Sequence, residues 1–218
     1  MIMALVPAFN ESRTIASVVK DLLLYVDDVV VIDDGSVDNT ADLARGAGAI
    51  VIRHSLNRGQ GAALETGHDY ARRSNADWVI HFDADGQFMA SDIPAALAMI
   101  KTSKKDVLLG SRFLGNHQII PWFKQWFLLP MGRLVDRLSG TVRLSDSHNG
   151  FRILGRRALD TIFITQDRMA HATEIPGLIA KYHLTWVEYP ITVQYHNFGQ
   201  GTVGGLKIVR DLLISKFL

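Results

Sequence analysis

The sequence predicts an α/β fold, a mostly parallel sheet flanked by helices, on three observations. Short apolar runs alternate with segments of helical periodicity through the first half of the chain, the spacing at which strands pair in parallel through helical crossovers. One run, Val29-Val30-Val31-Ile32, is apolar at every position, the mark of a strand covered on both faces. Several runs stop abruptly in polar or acidic residues, and in an open parallel sheet the ligand site lies outside those carboxyl ends.

Ile2 to Val6 is the first strand. The start, Met1 to Pro7, lacks a basic n-region and a small-residue cleavage site, so it is not expected to be a signal peptide, and a cytoplasmic location follows. Ser12 is expected to cap a helix running through Val18, Val19, Leu22 and Leu23. After the Val29–Ile32 strand, a helix from Thr40 to Arg45 closes at Gly46 or Gly48, ahead of the strand Ile50-Val51-Ile52. Asn57-Arg58-Gly59-Gln60-Gly61 opens a helix reaching Arg73. Trp78 to Phe82 is the next strand, and Asp92-Ile93-Pro94 starts a helix with proline in its first turn. Val107 to Leu109 is a strand ended by Gly110-Ser111-Arg112. Phe151 to Leu154 and Trp186 to Glu188, continuing through Ile191 to Val193, are further strands, with a helix around Ile175 to Tyr182 between them. Residues 113–140 break the alternation, being aromatic and basic with amphipathic helical spacing. Residues 203–218 carry Leu206, Val209, Leu213 and Phe217 at helical intervals, a terminal amphipathic helix. With no repeat, low-complexity tract or linker, one domain over residues 1–218 is expected.

Composition removes whole classes of function. The 23 Lys+Arg against 22 Asp+Glu leave a formal charge of +1, which excludes a nucleic-acid partner held by a bulk basic surface. At 48% hydrophobic and 21% charged residues the chain is an ordinary globular one, not a disordered one. The absence of cysteine excludes disulfides, a thiolate nucleophile, zinc–cysteine sites and iron–sulfur clusters, so a metal must sit on oxygen or imidazole. The longest apolar stretch, Ile119 to Gly132, is broken by Lys124 and two prolines and falls short of the roughly 20 residues a spanning helix needs.

The strand ends converge on one kind of chemistry. Asp83 and Asp85 are separated by one residue, which in an extended segment puts both carboxylates on one side, with Gln87 continuing the alternation. Such an oxygen set suits Mg2+ or Mn2+, which keep positions open for substrate phosphates and so point to a nucleotide diphosphate. An isolated pair of this kind is also common loop chemistry; its place beside a second acidic strand end favours the metal. Asp33 and Asp34, in Asp33-Asp34-Gly35-Ser36, suit a turn, or a grip on a ribose or base. Arg58 and Gly59 stand at a helix N-terminus that phosphate could approach. His68, His81 and His171 are expected to be packed or solvated rather than ligands, because a hard cation prefers oxygen.

Six motifs occur in order: Pro7-Ala8-Phe9-Asn10-Glu11, Asp33-Asp34-Gly35-Ser36, Asn57-Arg58-Gly59, Asp83-Ala84-Asp85-Gly86-Gln87, Gly110-Ser111-Arg112 and Asn149-Gly150-Phe151-Arg152. On these the chain, to about His196, resembles family 2 glycosyltransferases of the GT-A fold. The branch it looks most like is that of dolichyl-phosphate mannose synthase and the polyprenyl-phosphate glycosyltransferases. The resemblance implies that Pro7, Ala8, Asn10 and Glu11 with Asp34 hold the nucleoside of a nucleotide sugar, UDP-glucose or GDP-mannose being the leading donors. It implies that Asp83, Asp85 and Gln87 hold the metal bridging the diphosphate, and that Arg112, Asn149 and Arg152 fall in motifs near the sugar and the acceptor phosphate. Where this branch often shows an Arg before Gly-x-Ser-Lys, the chain has Tyr195 to Thr202, with no lysine until Lys207. Many relatives carry transmembrane helices after this region, and the sequence stops at Leu218. Attachment to the inner face of the cell membrane is therefore expected to be peripheral, or borrowed from a small membrane-protein partner.

A lipid-phosphate acceptor, with a second pKa near ~6, is already ionised at neutral pH and needs no general base, so a single inverting displacement suffices. A hydroxyl acceptor, as in cell-surface polysaccharide synthesis, needs a carboxylate, with Asp146 and Glu174 as candidates or as turn and helix-start residues. Three other classes fit the sequence less well. A signalling receiver is smaller and has no place for the Asp83–Asp85 pair; a sugar-nucleotide pyrophosphorylase needs a glycine-rich basic loop after its first strand; a silent nucleotide-binding subunit has no use for an intact acidic set. Trp122, Phe123, Trp126 and Phe127 are expected to rest on the cytoplasmic leaflet with Arg133 near the acceptor phosphate. The terminal helix is expected to meet lipid, a membrane partner, its own domain or a second copy.

Overall fold

The computed structural model describes residues 1–114, 142, 144–146 and 149–194. The elements run β1 (Ile2–Ala8), α1 (Ile15–Leu22), β2 (Asp28–Asp33), α2 (Thr40–Gly46), β3 (Ile50–Arg53), α3 (Gln60–Arg73) and β4 (Trp78–His81). A 3-10 turn (Ala90–Asp92) leads into α4 (Ile93–Ser103), followed by β5 (Val107–Ser111), β6 (Arg152–Gly155), α5 (Arg156–Thr161), α6 (His171–Lys181) and β7 (Trp186–Pro190). They form a seven-stranded sheet in the order β3-β2-β1-β4-β6-β5-β7, parallel throughout except β6, which runs antiparallel to both neighbours. The expected α/β architecture is the one observed.

Alternation along the central strands explains why they are buried on both faces. Ala4 and Val6 of β1, with Val29 and Val31 of β2, pack on one side of the sheet against Ile15, Val19 and Leu22 of α1 and Ile100 of α4. Met3 and Leu5, with Val30 and Ile32, pack on the other against Leu64 of α3, Leu159 of α5, and Ile175 and Ile179 of α6. A parallel strand flanked by helices on both faces has no polar side to present, hence the continuous apolar run. Gly67 lets α3 press onto the sheet: a Cβ there would lie 3.0 Å from side-chain atoms of Ile32 and Leu5.

Two expectations are corrected. Ser12 does not cap α1: its N–H donates to Asp38 Oδ2 at 3.2 Å, the chain turns once more, and the helix begins after Thr14. Ile191 to Val193 is not a strand; among the described residues past β7, Val193 alone pairs, in an isolated bridge with Phe88, because the β5 strand that β7 follows has ended at Ser111. The helix α5 follows directly on β6, where sequence periodicity gave no expectation. Most of residues 113–140, and with them Trp122, Phe123, Trp126, Phe127 and Arg133, lie outside the described residues, as do the Tyr195–Thr202 loop and the 203–218 helix. Among the described residues no helix is long and apolar enough to cross a membrane.

Burial of three histidines has a pH consequence. His68 and His81 share a hydrogen bond between their Nε2 atoms at 2.7 Å in the core, and His171 donates from Nδ1 to the carbonyl of Arg168 at 2.7 Å. Burial, then the nearby Arg152 charge, depresses His171 to about 4. An unfolded chain takes up this proton near pH ~6.5 and the folded one does not, so stability is full above that value and falls as pH drops toward 4. His171 alone accounts for about 3 kcal/mol of that loss. Urea titrations at pH 7 and pH 4.5 are expected to show a smaller stability difference for His171→Gln than for the native chain; equal differences would remove His171 as the cause.

Candidate active site

The site sits where the carboxyl ends of β1, β2 and β4 meet, in an open cleft of about 310 Å³. Of the residues singled out in the sequence, Pro7, Ala8, Glu11, Asp34, Gly59, Asp83 and Asp85 line it. Phe9, Asn57, Gln60, Ala63 and Ala84 line it as well.

The loops after β1 and β2 are stitched together, which fixes the cleft wall. Asn10, in left-handed backbone at φ 58, donates its N–H to Ser36 Oγ at 2.9 Å and accepts from Val37 N–H at 3.0 Å; Glu11 N–H donates to Thr40 Oγ1 at 2.8 Å. The Asn10 side-chain carbonyl is thus engaged in holding the loop. Asp33 is fully buried beneath the cleft, accepts from Ser36 N–H at 3.0 Å, and lies 3.0 Å from Arg53 Nε, an ion pair without hydrogen-bond alignment.

Asp34 organises the floor. Its carboxylate accepts from Arg58 N–H at 2.9 Å, Gly59 N–H at 2.7 Å and His54 Nδ1 at 2.7 Å, and His54 reaches on to Thr66 Oγ1 at 2.9 Å. The backbone donors of Arg58 and Gly59, expected for phosphate, are directed at Asp34 instead. Gly59 is held at φ 108, and a Cβ on Gly61 would overlap the Gln166 carbonyl, so the Gln166–Asp167 segment lies across the start of α3. Ala62 N–H donates to the Asp167 carbonyl at 3.0 Å, closing that helix end from the other side. The side chain of Arg58 is half exposed, 3.9 Å from Asp167.

Asp83 and Asp85 do come together, but not by strand alternation. Strand β4 ends at His81 and the chain turns through Ala84 to Gly86, which takes φ 73; the turn, not an extended segment, sets the two carboxylates close. Burial, then the Asp85 charge, pushes Asp83 up to about 6, and burial with the charges of Asp85 and Asp38 also raises Glu11. Gln87 meets Asp85 through its backbone N–H at 3.0 Å, while its carbonyl accepts from Gln194 N–H at 2.8 Å. Asp83 and Glu11, each raised in part by the Asp85 charge, fit a divalent cation placed beside them, which would offset that charge. Among the described residues no three acidic or imidazole side chains close on a metal by themselves.

A second cluster stands beside this one. Arg112 grips Asp146 with two hydrogen bonds, Nε to Oδ2 at 2.7 Å and Nη2 to Oδ1 at 2.8 Å, and its own N–H adds a third at 3.2 Å. Asn149 Nδ2 donates to the same carboxylate at 3.1 Å. Burial raises the Asp146 carboxyl, but the Arg112 hydrogen bonds and charge outweigh it and hold the group below its ordinary value. Arg152 is buried at the start of β6, opposite His81; burial lowers its guanidinium to about 10, while Asp83 and Asp146 favour its charge. Glu174 accepts from Thr165 N–H and Oγ1 and from Gln166 N–H.

Gln60, Asn57, His54 and Gly150 were missed by sequence reasoning. Gln60 and Gly150 are signalled only by lying inside motifs whose charged members drew the eye, and His54 has no local signal: its partners stand 20 and 12 positions away.

The model of glycosyl transferase family 2 matches residues 3–163. An uncharacterized protein of Methanocaldococcus jannaschii is 32% identical over 224 residues, covering 99% of this chain and 92% of its own. The UDP-N-acetylglucosamine–dolichyl-phosphate N-acetylglucosaminyltransferase of Methanococcus voltae is 28% identical, with 99% and 96% covered. Among solved structures, glucosyl-3-phosphoglycerate synthase of Mycobacterium tuberculosis, in complex with Mn2+ and UDP-glucose, superimposes with a TM-score of 0.68 over 98% of this chain and 78% of that one, at 18% identity; the fold is shared. With the family match spanning most of the sheet and every strand end that lines the cleft, the chain belongs to glycosyl transferase family 2 and is a glycosyltransferase.

Proposed function

We propose that this glycosyltransferase transfers a hexose, with inversion, from a nucleotide sugar to a polyprenyl or dolichyl phosphate at the cytoplasmic face of the membrane. The observation that carries this reading is the state of the two carboxylates a hydroxyl acceptor would call on. Both oxygens of Asp146 accept from Arg112, and Oδ2 accepts from Asn149 as well, while Glu174 is held by the Thr165–Gln166 backbone. A general base must be able to turn toward the proton it takes, and both carboxylates are held in place by these partners. An acceptor already ionised needs no base. The dolichyl-phosphate acceptor named for the Methanococcus voltae relative supports the same class.

Asp83 and Asp85, with Gln87, are the residues that would hold Mg2+ or Mn2+, and the Mn2+ in the Mycobacterium tuberculosis neighbour supports a divalent ion. When bound, such an ion neutralises charge on the departing nucleoside diphosphate. The remaining work falls to the protein. Pro7, Ala8 and Glu11 form one wall of the donor cleft, and the Asp34-held loop with Asn57 and Gly59 forms the other. Arg112, set by Asp146, is directed to the acceptor phosphate, and Arg152 keeps a fixed positive charge beside Asp83. Holding the acceptor oxygen behind the anomeric carbon turns the encounter into a near-unimolecular step. Residues 113–140, with Trp122, Phe123, Trp126, Phe127 and Arg133, and residues 203–218 are assigned to the membrane side of a single catalytic domain.

A thermal-shift panel of UDP-glucose, GDP-mannose and UDP-N-acetylglucosamine is expected to single out one donor. Transfer of the radiolabelled sugar to polyprenyl phosphate in anionic liposomes, with the protein floating with the vesicles at low salt, is the expected outcome. Protein that stays in the soluble fraction and glycosylates only water-soluble hydroxyl acceptors overturns both the acceptor and the membrane placement.

A further inference from the structure

We propose that Gly150 and Gln60 are positioning residues that fix the carboxylate of Asp83 for a divalent cation, Gly150 by close backbone approach and Gln60 by donating a hydrogen bond. The inference rests on the reading above, in which Asp83 is a metal ligand.

Two independent contacts hold the group from opposite sides of the sequence. Gln60 is the first residue of α3, and its Nε2 donates to Asp83 Oδ1 at 3.0 Å. A carboxylate oxygen has two lone pairs, so this bond occupies one and leaves the other for a cation. Gly150 arrives from the far end of the chain. Strand β6 pairs antiparallel with β4, Trp78 opposite Gly155 and His81 opposite Arg152, and continuing that register by two residues sets Gly150 opposite Asp83. The approach is so close that a Cβ on Gly150 would overlap Asp83 Oδ2 and stand 2.9 Å from both Cγ and Oδ1.

The backbone does not require glycine here. Gly35, Gly48, Gly59 and Gly86 take positive φ, which explains them by conformation; Gly150 is not among them. Its missing side chain is explained by the space Asp83 occupies. Any larger residue must push the carboxylate away from Gln60, or push β6 away from β4 and carry Arg152 with it. A ligand carboxylate is useful to a metal only in one orientation, and partners that fix that orientation typically matter by about 10–100-fold in metal affinity.

The test uses the full chain and Mn2+ as the probe, with free Mn2+ read by electron paramagnetic resonance in the presence of UDP or GDP. Gln60→Met keeps the length of the side chain and removes the donor; Gly150→Ala adds the one methyl. Each is expected to weaken Mn2+ binding by about 10–100-fold. Each is also expected to raise the Mn2+ concentration for half-maximal turnover more than it lowers turnover at saturating Mn2+, with at most a small fall in the metal-free urea midpoint of Gln60→Met. A merely structural role would move the midpoint and leave the metal dependence alone. Native Mn2+ affinity in a folded Gln60→Met chain overturns the role of Gln60. Native affinity in Gly150→Ala overturns that of Gly150, and a Gly150→Ala chain that does not fold even at 10 °C overturns it too, since the glycine would then serve the fold and not the metal. If the native chain itself takes up no Mn2+ with either nucleotide, the metal reading falls first and the inference with it.

Discussion

Asp83→Asn is expected to lower sugar transfer by at least ~10³-fold while making the metal-free protein more stable. Both halves follow from one feature. The Asp83 carboxyl is raised to about 6 by burial and by Asp85. A folded pKa above the unfolded one means stability that is present at low pH and lost as pH rises through the folded value, so at pH 7 the ionised carboxylate is a net cost. Asparagine keeps the oxygen that accepts from Gln60 and removes the charge, and up to roughly 2 kcal/mol should be regained. The cost is tolerable in the native chain only because the same charge is what a metal–diphosphate needs, a trade of stability for function. Urea unfolding in EDTA and a transfer assay measure the two halves. Calorimetry showing undiminished metal-dependent binding of both UDP and GDP to the Asp83 variant would sink the assignment, and a variant less stable than the native chain in EDTA would contradict the electrostatic account.

Asp146→Asn separates a base from a positioning carboxylate. Replacing one oxygen by an amide nitrogen turns one of the two Arg112 hydrogen bonds into a donor facing a donor, and leaves a partly buried guanidinium short of a partner. Removing one member of a buried pair typically costs 3–5 kcal/mol, and Arg112, 31% exposed, is screened enough to bring this to about 2 kcal/mol. Turnover should fall by about 10²-fold, because a displaced Arg112 no longer holds the acceptor. The pH–rate profile is expected to keep its shape: with its pKa held below the ordinary carboxylate value by Arg112, Asp146 stays ionised and paired across the neutral range. An ionisation between pH 5 and 8 that disappears in Asp146→Asn, and persists in Arg112→Lys, would make Asp146 a base and favour a hydroxyl acceptor.

Local pattern carried a good deal of this. The six-residue strand β2 is legible because residues covered on both faces must be apolar at every position, and α3 because Gly59 and Gly61 mark its start and the alternation resumes after Arg73. The acidic strand ends were legible because Asp33-Asp34 and Asp83-Ala84-Asp85 follow buried strands directly. Where local pattern failed, a distant partner had taken over a local role. Ser12 has the chemistry of a cap, yet its backbone is tied to Asp38, on the far side of the next strand, and the helix starts only after Thr14. Asp34 lines the cleft as its place at a strand end suggests, but the three hydrogen bonds that orient it come from a loop that returns 20 to 25 residues later, which no local spacing announces.

What the sequence by itself determined is the α/β class, the strand ends that bear the site, and the family, since each follows from residue types at fixed local spacing. What only the tertiary structure decided is which of those ends face one another. The direction of β6 is the clearest instance. An apolar run reads the same in either direction, so Phe151 to Leu154 predicted a strand and not its sense. Because β6 runs antiparallel between β4 and β5, its beginning rather than its end arrives at the carboxyl edge of the sheet. That single choice brings Gly150 against Asp83 and sets Arg152 between Asp83 and Asp146. Pairing energy between strands depends on partners far apart in the chain, and no local spacing encodes it.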